Sequence, residues 1–304
     1  MKRVLITGGL GYLGGRILQS LVETTGEFEP VIGTLTSISE AERLSFSRQL
    51  EVRVVDVTRP VDELIGALRG IDSLVHLGAL NEIQCAADPR QAMLVNCLGT
   101  QNLVEAAVKC EVKDFLFFST AHVYGSPLVG LIDETKACRP VHPYSISKRV
   151  AEDLVLASRD RGSINGVVIR LSNGMGAPLH SAIDRWVLVV NDLCRQAIES
   201  GKLALKSSGR QQRNFIPIRD VCLAVNHLLS LPKSTTLDGL FNLGGHENLS
   251  VMEMAEIVAE EGKKILGLEI PIVCGSSDSN QAFKPLDYRS DKIRKTGLQL
   301  SGTV

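Results

Sequence analysis

Short apolar runs alternate with amphipathic stretches along the first half of the chain. The runs are RVLIT (residues 3–7), PVIGTL (30–35), VRVVDV (52–57), DSLVHL (72–77), DFLFFST (114–120) and GVVIRLS (166–172). Between them lie segments such as PRQAMLVNCLGTQNLVEAAVKC (89–110), with apolar residues three and four apart, the helical spacing. Strands that alternate with helices predict a parallel sheet covered on both faces. The expected fold is α/β, a doubly wound parallel sheet of the Rossmann type over residues 1–172.

The pattern loosens after residue 172. NGMGAPLHSAIDRW is loop-like and precedes a helix expected over 187–199. RNFIPIRDVCLAVNHLLSL (213–231) and LFNLGGHENLSVMEMAEIVAEE (240–261) each read as a short strand feeding a helix. In the second, Ser250 and Glu253 have capping-box spacing. Residues 173–304 are therefore expected to form a smaller substrate-binding lobe, partly interleaved with the first. No repeat or low-complexity tract interrupts the chain.

Composition narrows the class. The 304 residues are 44% hydrophobic and 22% charged, with a formal net charge of −1. A chain so balanced lacks the basic excess that nucleic acid or an anionic membrane selects. No apolar run approaches the length of a membrane span. The seven cysteines are dispersed, with no Cys-x-x-Cys pair, as expected of reduced thiols in a cytoplasmic protein. The six histidines show no metal-ligand spacing, so no metal is expected.

Three features carry chemistry. The first is TGGLGYLGG (7–15), which places Gly8, Gly11 and Gly14 three apart between a strand and a helix. Such a turn lets a pyrophosphate approach the free amides of the helix start. The second is Asp56 in VVDVT, placed either to accept from an adenine amino group or to cap the next helix. The third is PYSISK, which puts Tyr144 four residues before Lys148. On a helix the two share a face, so the ammonium can favour the phenolate of a tyrosine whose ordinary pKa is about 10. Thr120, at the carboxyl end of the fifth run, can hold a substrate alcohol while Tyr144 exchanges its proton. An exposed pair on a solvated helix face is the plainer alternative.

With these segments in order, the chain resembles the extended short-chain dehydrogenase/reductases, and among them the nucleotide-sugar epimerase/dehydratase group. The resemblance rests on TGGLGYLG, VVDVT, LVHLGA, DPRQAMLVNCLGTQNLVEAA, FFSTAHVYG, PYSISKRVAE, VIRLSNGMGAP, GRQQRNFIPIRDV and FNLGGHENLS, and covers nearly the whole chain. It implies Thr120, Tyr144 and Lys148 as the catalytic set. It implies Gly8, Gly11, Tyr12, Leu13, Gly14, Asp56 and Val57 as cofactor contacts. Leu77, Ala79 and Asn96 would flank the nicotinamide half, beside Tyr144 and Lys148. Asn173, Thr120, Tyr144 and His122 would meet the sugar, and Arg213 the nucleotide diphosphate, a role suited to a guanidinium. Residues 203–205 would lie near the nucleotide base. A homodimer through the helices at 89–110 and 144–161 is implied as well.

The departures matter equally. Members that dehydrate the sugar carry an Asp-Glu pair after the threonine; here Ala121 and His122 stand there. Members that prefer NAD place an acid after the second strand; here GTLTSISEAERL offers Thr34, Thr36 and Ser37 first, then Glu40 and Arg43. The cofactor is thus expected to be NAD or NADP. A second diphosphate-binding arginine is not evident, with Lys284 and Arg289 as candidates. The expected activity is epimerisation of a nucleotide-diphosphate sugar by transient oxidation at C4. An NADPH-dependent ketoreductase on the same substrate class is the alternative, and a non-catalytic dinucleotide sensor or scaffold a third.

Overall fold

The computed structural model describes residues 1–24, 26–35, 49–275 and 284–302. Thr36, Ser37, Glu40 and Arg43, which bear on cofactor preference, lie outside the described residues. The strands, in chain order, begin with β1 (Lys2–Thr7), β2 (Phe28–Thr34), β3 (Glu51–Val54), β4 (Ser73–His76) and β5 (Asp114–Thr120). β6 (Gly130–Ile132), β7 (Asn165–Leu171), β8 (Asn173–Met175), β9 (Leu203–Leu205) and β10 (Gln212–Pro217) follow. β11 (Leu240–Leu243), β12 (Asn248–Ser250), β13 (Ile272–Cys274) and β14 (Leu286–Tyr288) complete them.

Seven strands form one sheet in the order β11-β7-β5-β4-β1-β2-β3, every pair parallel. The six apolar runs supply six of these strands, as their composition predicts. The seventh, β11, comes from residues 240–243. The order reverses between β1 and β4, and at such a reversal a crevice opens beyond the carboxyl ends of the strands.

Strand alternation divides the core between the two faces. Val4 and Ile6 point toward the helices Tyr12–Glu23 and Ile218–Ser230. Leu5, Phe115 and Phe117 point toward Val61–Leu68, Gly99–Lys109 and Pro143–Asp160. A separate cluster of Leu193, Leu203, Phe215, Met254 and Val258 packs helices Val189–Ser200 and Val251–Leu266 over β8, β10 and β12 and the pair β9–β13. Ser250 caps the second of these helices in a capping box with Glu253, as the spacing predicts.

The helical stretch at 89–110 is not one regular helix. A turn at Pro89–Ala92 leads into a π-helical segment, Met93–Leu98, before the regular helix Gly99–Lys109. The widened segment holds Asn96, whose side chain is 1% exposed. Among the described residues no helix is long and apolar enough to cross a membrane.

Candidate active site

An open cleft of about 320 Å³ lies along the carboxyl edge of the sheet. Gly8, Gly11, Tyr12, Leu13, Gly14, Leu77, Ala79, Thr120, His122, Tyr144, Lys148 and Asn173 all line it.

The glycine turn forms one end. Gly8 has φ +68°, a left-handed conformation that favours glycine. A Cβ on Gly14 would meet the Gly8 carbonyl oxygen at 2.2 Å, so only glycine lets the helix start so close to the strand. The helix begins at Tyr12 with Gly11 as its cap, no capping side chain and no acid in its first turn. Its first amides are left for an anion, which the helix dipole favours. These features fit a dinucleotide pyrophosphate.

The floor is pinned from beneath by buried hydrogen bonds. Thr7 Oγ1 accepts from the Gly78 amide at 3.2 Å and lies 2.6 Å from His76 Nδ1. On the other side of the ring, His76 Nε2 lies 3.1 Å from Thr100 Oγ1, which donates to the Asn96 carbonyl. Thr7 therefore donates to Nδ1 and Thr100 accepts from Nε2, which defines a neutral ring. Burial, with the neighbouring Lys148 charge, depresses the His76 pKa to about 3. Asn96 is not part of the cleft lining. Its side chain accepts from the Leu80 amide at 2.8 Å and donates to Ser147 Oγ at 3.1 Å, which ties residues 77–80 to the helix Pro143–Asp160.

His142 and Pro143 start that helix. His142 Nδ1 accepts from the Tyr144 amide, and Ser145 Oγ closes the capping box. Tyr144 and Lys148 follow one turn apart on the cleft side. Lys148 is 2% exposed, with its ammonium 4.3 Å from the centre of the Phe117 ring. Burial lowers its pKa to about 8, against the opposing effect of Glu152, Cys85 and Glu82. Burial raises the Tyr144 phenol above its ordinary value, aided by Glu82 and opposed by Arg185. The spacing alone suggests that Lys148 favours the phenolate; in the structure burial is the largest influence on the phenol, and the cation that opposes it is Arg185.

Opposite, Thr120 ends β5 and accepts from the His122 amide. Ala121 is buried, while His122 faces the cleft, its pKa lowered by burial and by Arg213. Arg213 itself has a pKa lowered by burial, and no carboxylate pairs with it among the described residues. Asn173 donates to the Asn214 carbonyl, fastening β8 beside β10.

Other expected residues stand elsewhere. Asp56 lies in the turn after β3, not along the cleft. Its carboxylate accepts from the Thr58 amide at 3.0 Å and the Thr58 hydroxyl at 2.6 Å, with Arg59 beyond. The next helix starts at Val61 with Pro60 as its cap, so Asp56 does not cap it. The Val57 side chain packs in the core. Leu203 and Leu205 are buried in the smaller cluster. Arg289 is exposed and paired with Asp287, and Lys284 is exposed. The sequence reading missed Glu82 and Arg185, both lining the cleft. Arg185 lies in the stretch read as loop-like, and Glu82 opens the short helix Glu82–Ala87, capped by Asn81.

A doubly wound parallel sheet, a glycine turn at its crevice and a Tyr-x-x-x-Lys helix across from it define a dinucleotide-dependent enzyme of the extended short-chain dehydrogenase type. The comparison with known proteins agrees. The chain belongs to the NAD dependent epimerase/dehydratase family, whose family model matches residues 4–244. It is similar to the dTDP-D-glucose 4,6-dehydratase of Mus musculus, 27% identical over 299 residues, covering 96% of this chain and 78% of that one. Among solved structures, it shares its fold with MoeE5 in complex with UDP-glucose and NAD, at TM-score 0.79 and 22% identity over 99% of this chain and 94% of that one. The epimerase Mth375 of Methanothermobacter thermautotrophicus superposes at TM-score 0.81 and 21% identity, over 100% of this chain and 88% of that one. The protein is thus an enzyme that works with a nicotinamide dinucleotide.

Proposed function

We propose that the chain is a nucleotide-diphosphate-sugar epimerase that acts through transient oxidation of the sugar, at C4. One observation carries the reading: the cleft brings Thr120, Tyr144 and Lys148 to the glycine turn, while Glu82 is the sole carboxyl group along its lining among the described residues. Water loss needs an acid and a base on adjacent carbons, and Ala121 and His122 supply no such carboxyl pair. Nucleotide sugars are the named ligands of structural relatives, UDP-glucose in one of them.

In this account Thr120 receives the sugar hydroxyl and orients it toward Tyr144. A nicotinamide dinucleotide held at the glycine turn would supply the hydride acceptor and donor. Tyr144 takes the hydroxyl proton, helped by the Lys148 ammonium one turn further along the helix, which offsets the burial that raises the phenol. The keto-sugar rotates within the cleft, so that its other face would meet the returning hydride, and Tyr144 gives the proton back to the C4 oxygen. Arg213, half-buried and without a carboxylate partner among the described residues, holds the diphosphate, with Asn173 beside the sugar. Gly8, Gly11 and Gly14 carry the cofactor pyrophosphate, with Tyr12, Leu13, Leu77 and Ala79 along it. A homodimer is part of the proposal, supported by Met93, Leu94, Leu98 and Ile146, which leave apolar surface exposed on adjacent helices.

A ketoreductase using NADPH is the second reading, favoured by the lack of an acid between Thr34 and Ser39. The test is incubation of the purified protein with UDP- and dTDP-hexoses, with no cofactor added, followed by chromatography of the released sugars. A 4-epimer supports the proposal. Turnover that occurs only with stoichiometric NADPH consumption overturns it in favour of the reductase.

A further inference from the structure

Two buried hydroxyl groups in the cleft have no partner. Among the described residues, Ser119 Oγ and Ser172 Oγ are buried without a hydrogen bond, and both residues line the cleft. Ser119 is 5% exposed. An unpaired buried hydroxyl is costly, because water satisfies it in the unfolded chain. Neighbouring hydroxyls are paired: Thr7 with His76, Thr100 with the Asn96 carbonyl and Ser147 with the Tyr144 carbonyl.

We propose that Ser119 and Ser172 form the receptor for the nicotinamide carboxamide of the bound cofactor, an inference that rests on the dinucleotide reading of the cleft. Strand register places them. Ser119 aligns with Arg170 of β7, and alternation puts it on the face of Phe117, whose ring carries the Lys148 ammonium. Ser172 lies two residues past Arg170, and its amide still bonds the Leu243 carbonyl, so the ladder carries it onto that face too. On the other side His76 aligns with Phe117 and with Thr7. Gly8, Gly78, Ser119 and Ser172 therefore follow one another along the carboxyl edge of the sheet.

That edge leads away from the glycine turn. A dinucleotide held there by its pyrophosphate lays its second half along the edge, across the point where strand order reverses. The group at its far end is a planar amide with one acceptor oxygen and two N–H donors. A serine hydroxyl can both donate and accept, so two of them match one carboxamide. The sugar is the other polar ligand of the cleft, but alternation turns Thr120 to the opposite face from Ser119. The sugar's expected contacts, Thr120, His122 and Asn173, do not require the pair.

The test compares NAD with ADP-ribose, which lacks the nicotinamide, on the full-length chain freed of bound dinucleotide. Ser119→Ala and Ser172→Ala should each weaken NAD about fivefold, the loss of one hydrogen bond, and leave ADP-ribose unchanged. The unliganded variants should unfold at no lower temperature than the parent, since each loses an unsatisfied hydroxyl. Equal losses for both ligands, or undiminished NAD binding, overturn the assignment to the carboxamide. A parent chain that binds neither ligand overturns the dinucleotide reading itself, and the inference with it.

Discussion

Lys148→Met should make the unliganded protein more stable while destroying its activity. Burial holds Lys148 at about 8 against an ordinary 10.5. Each pH unit of depression corresponds to about 1.4 kcal/mol, so keeping the ammonium charged in the fold costs about 3 kcal/mol. The contact with Phe117 at 4.3 Å offsets part of what methionine would gain, which leaves about 2–3 kcal/mol. The sign follows from linkage. The folded pKa is below the unfolded one, so the unfolded chain binds the extra proton between about 8 and 10.5, and the site's contribution to stability rises with pH across that window. Below it the penalty is fully present. The assay is urea unfolding of dinucleotide-free protein. At about pH 7 the midpoint of the variant should lie roughly 1 M above the parent, and at about pH 9.5 the advantage should shrink to about half. A variant no more stable than the parent at neutral pH, or an advantage that does not change with pH, refutes the reasoning.

Two further substitutions probe the chemistry. Tyr144→Phe should lower turnover of an authentic substrate by about 10²–10⁴-fold with cofactor retention intact, and near-parental rates would remove the tyrosine from the mechanism. Arg213→Ala should weaken UDP-glucose binding about 10–100-fold, the loss of charge-assisted hydrogen bonds to phosphate, with dinucleotide affinity unchanged in calorimetry. Unaltered UDP-glucose binding would free Arg213 from the diphosphate role.

Local patterns made much of this legible. Six of the seven parallel strands are apolar runs bounded by polar turns. TGGLGYLGG announces its turn because the left-handed φ of +68° at Gly8 favours glycine and the close approach at Gly14 leaves no room for a Cβ. The helix with Tyr144 is expected over 144–161 and found at Pro143–Asp160, and its start is set by the local chemistry of His142, Pro143 and Ser145. Nonlocal features were hidden. The π-helical segment around Asn96 has no period of its own in the sequence; Asn96 is fixed by Leu80 and Ser147, distant along the chain. Glu82 reaches the cleft from the first turn of the short helix Glu82–Ala87, and Arg185 from the irregular stretch before Val189–Ser200. Helical spacing places Lys148 beneath Tyr144 but says nothing of burial, which dominates the proton affinity of both. Asp56 shows the converse: its Asp-x-Thr pattern is itself a local turn, and Thr58 takes up the carboxylate.

The central claim is a cofactor that is reduced and reoxidised without leaving. Its most direct test is to denature the protein as purified, with nothing added, and to identify and count the released dinucleotide by mass spectrometry. NAD near one per chain is the predicted result. Protein that releases no dinucleotide, and that then binds NADPH in preference to NADH, would contradict it.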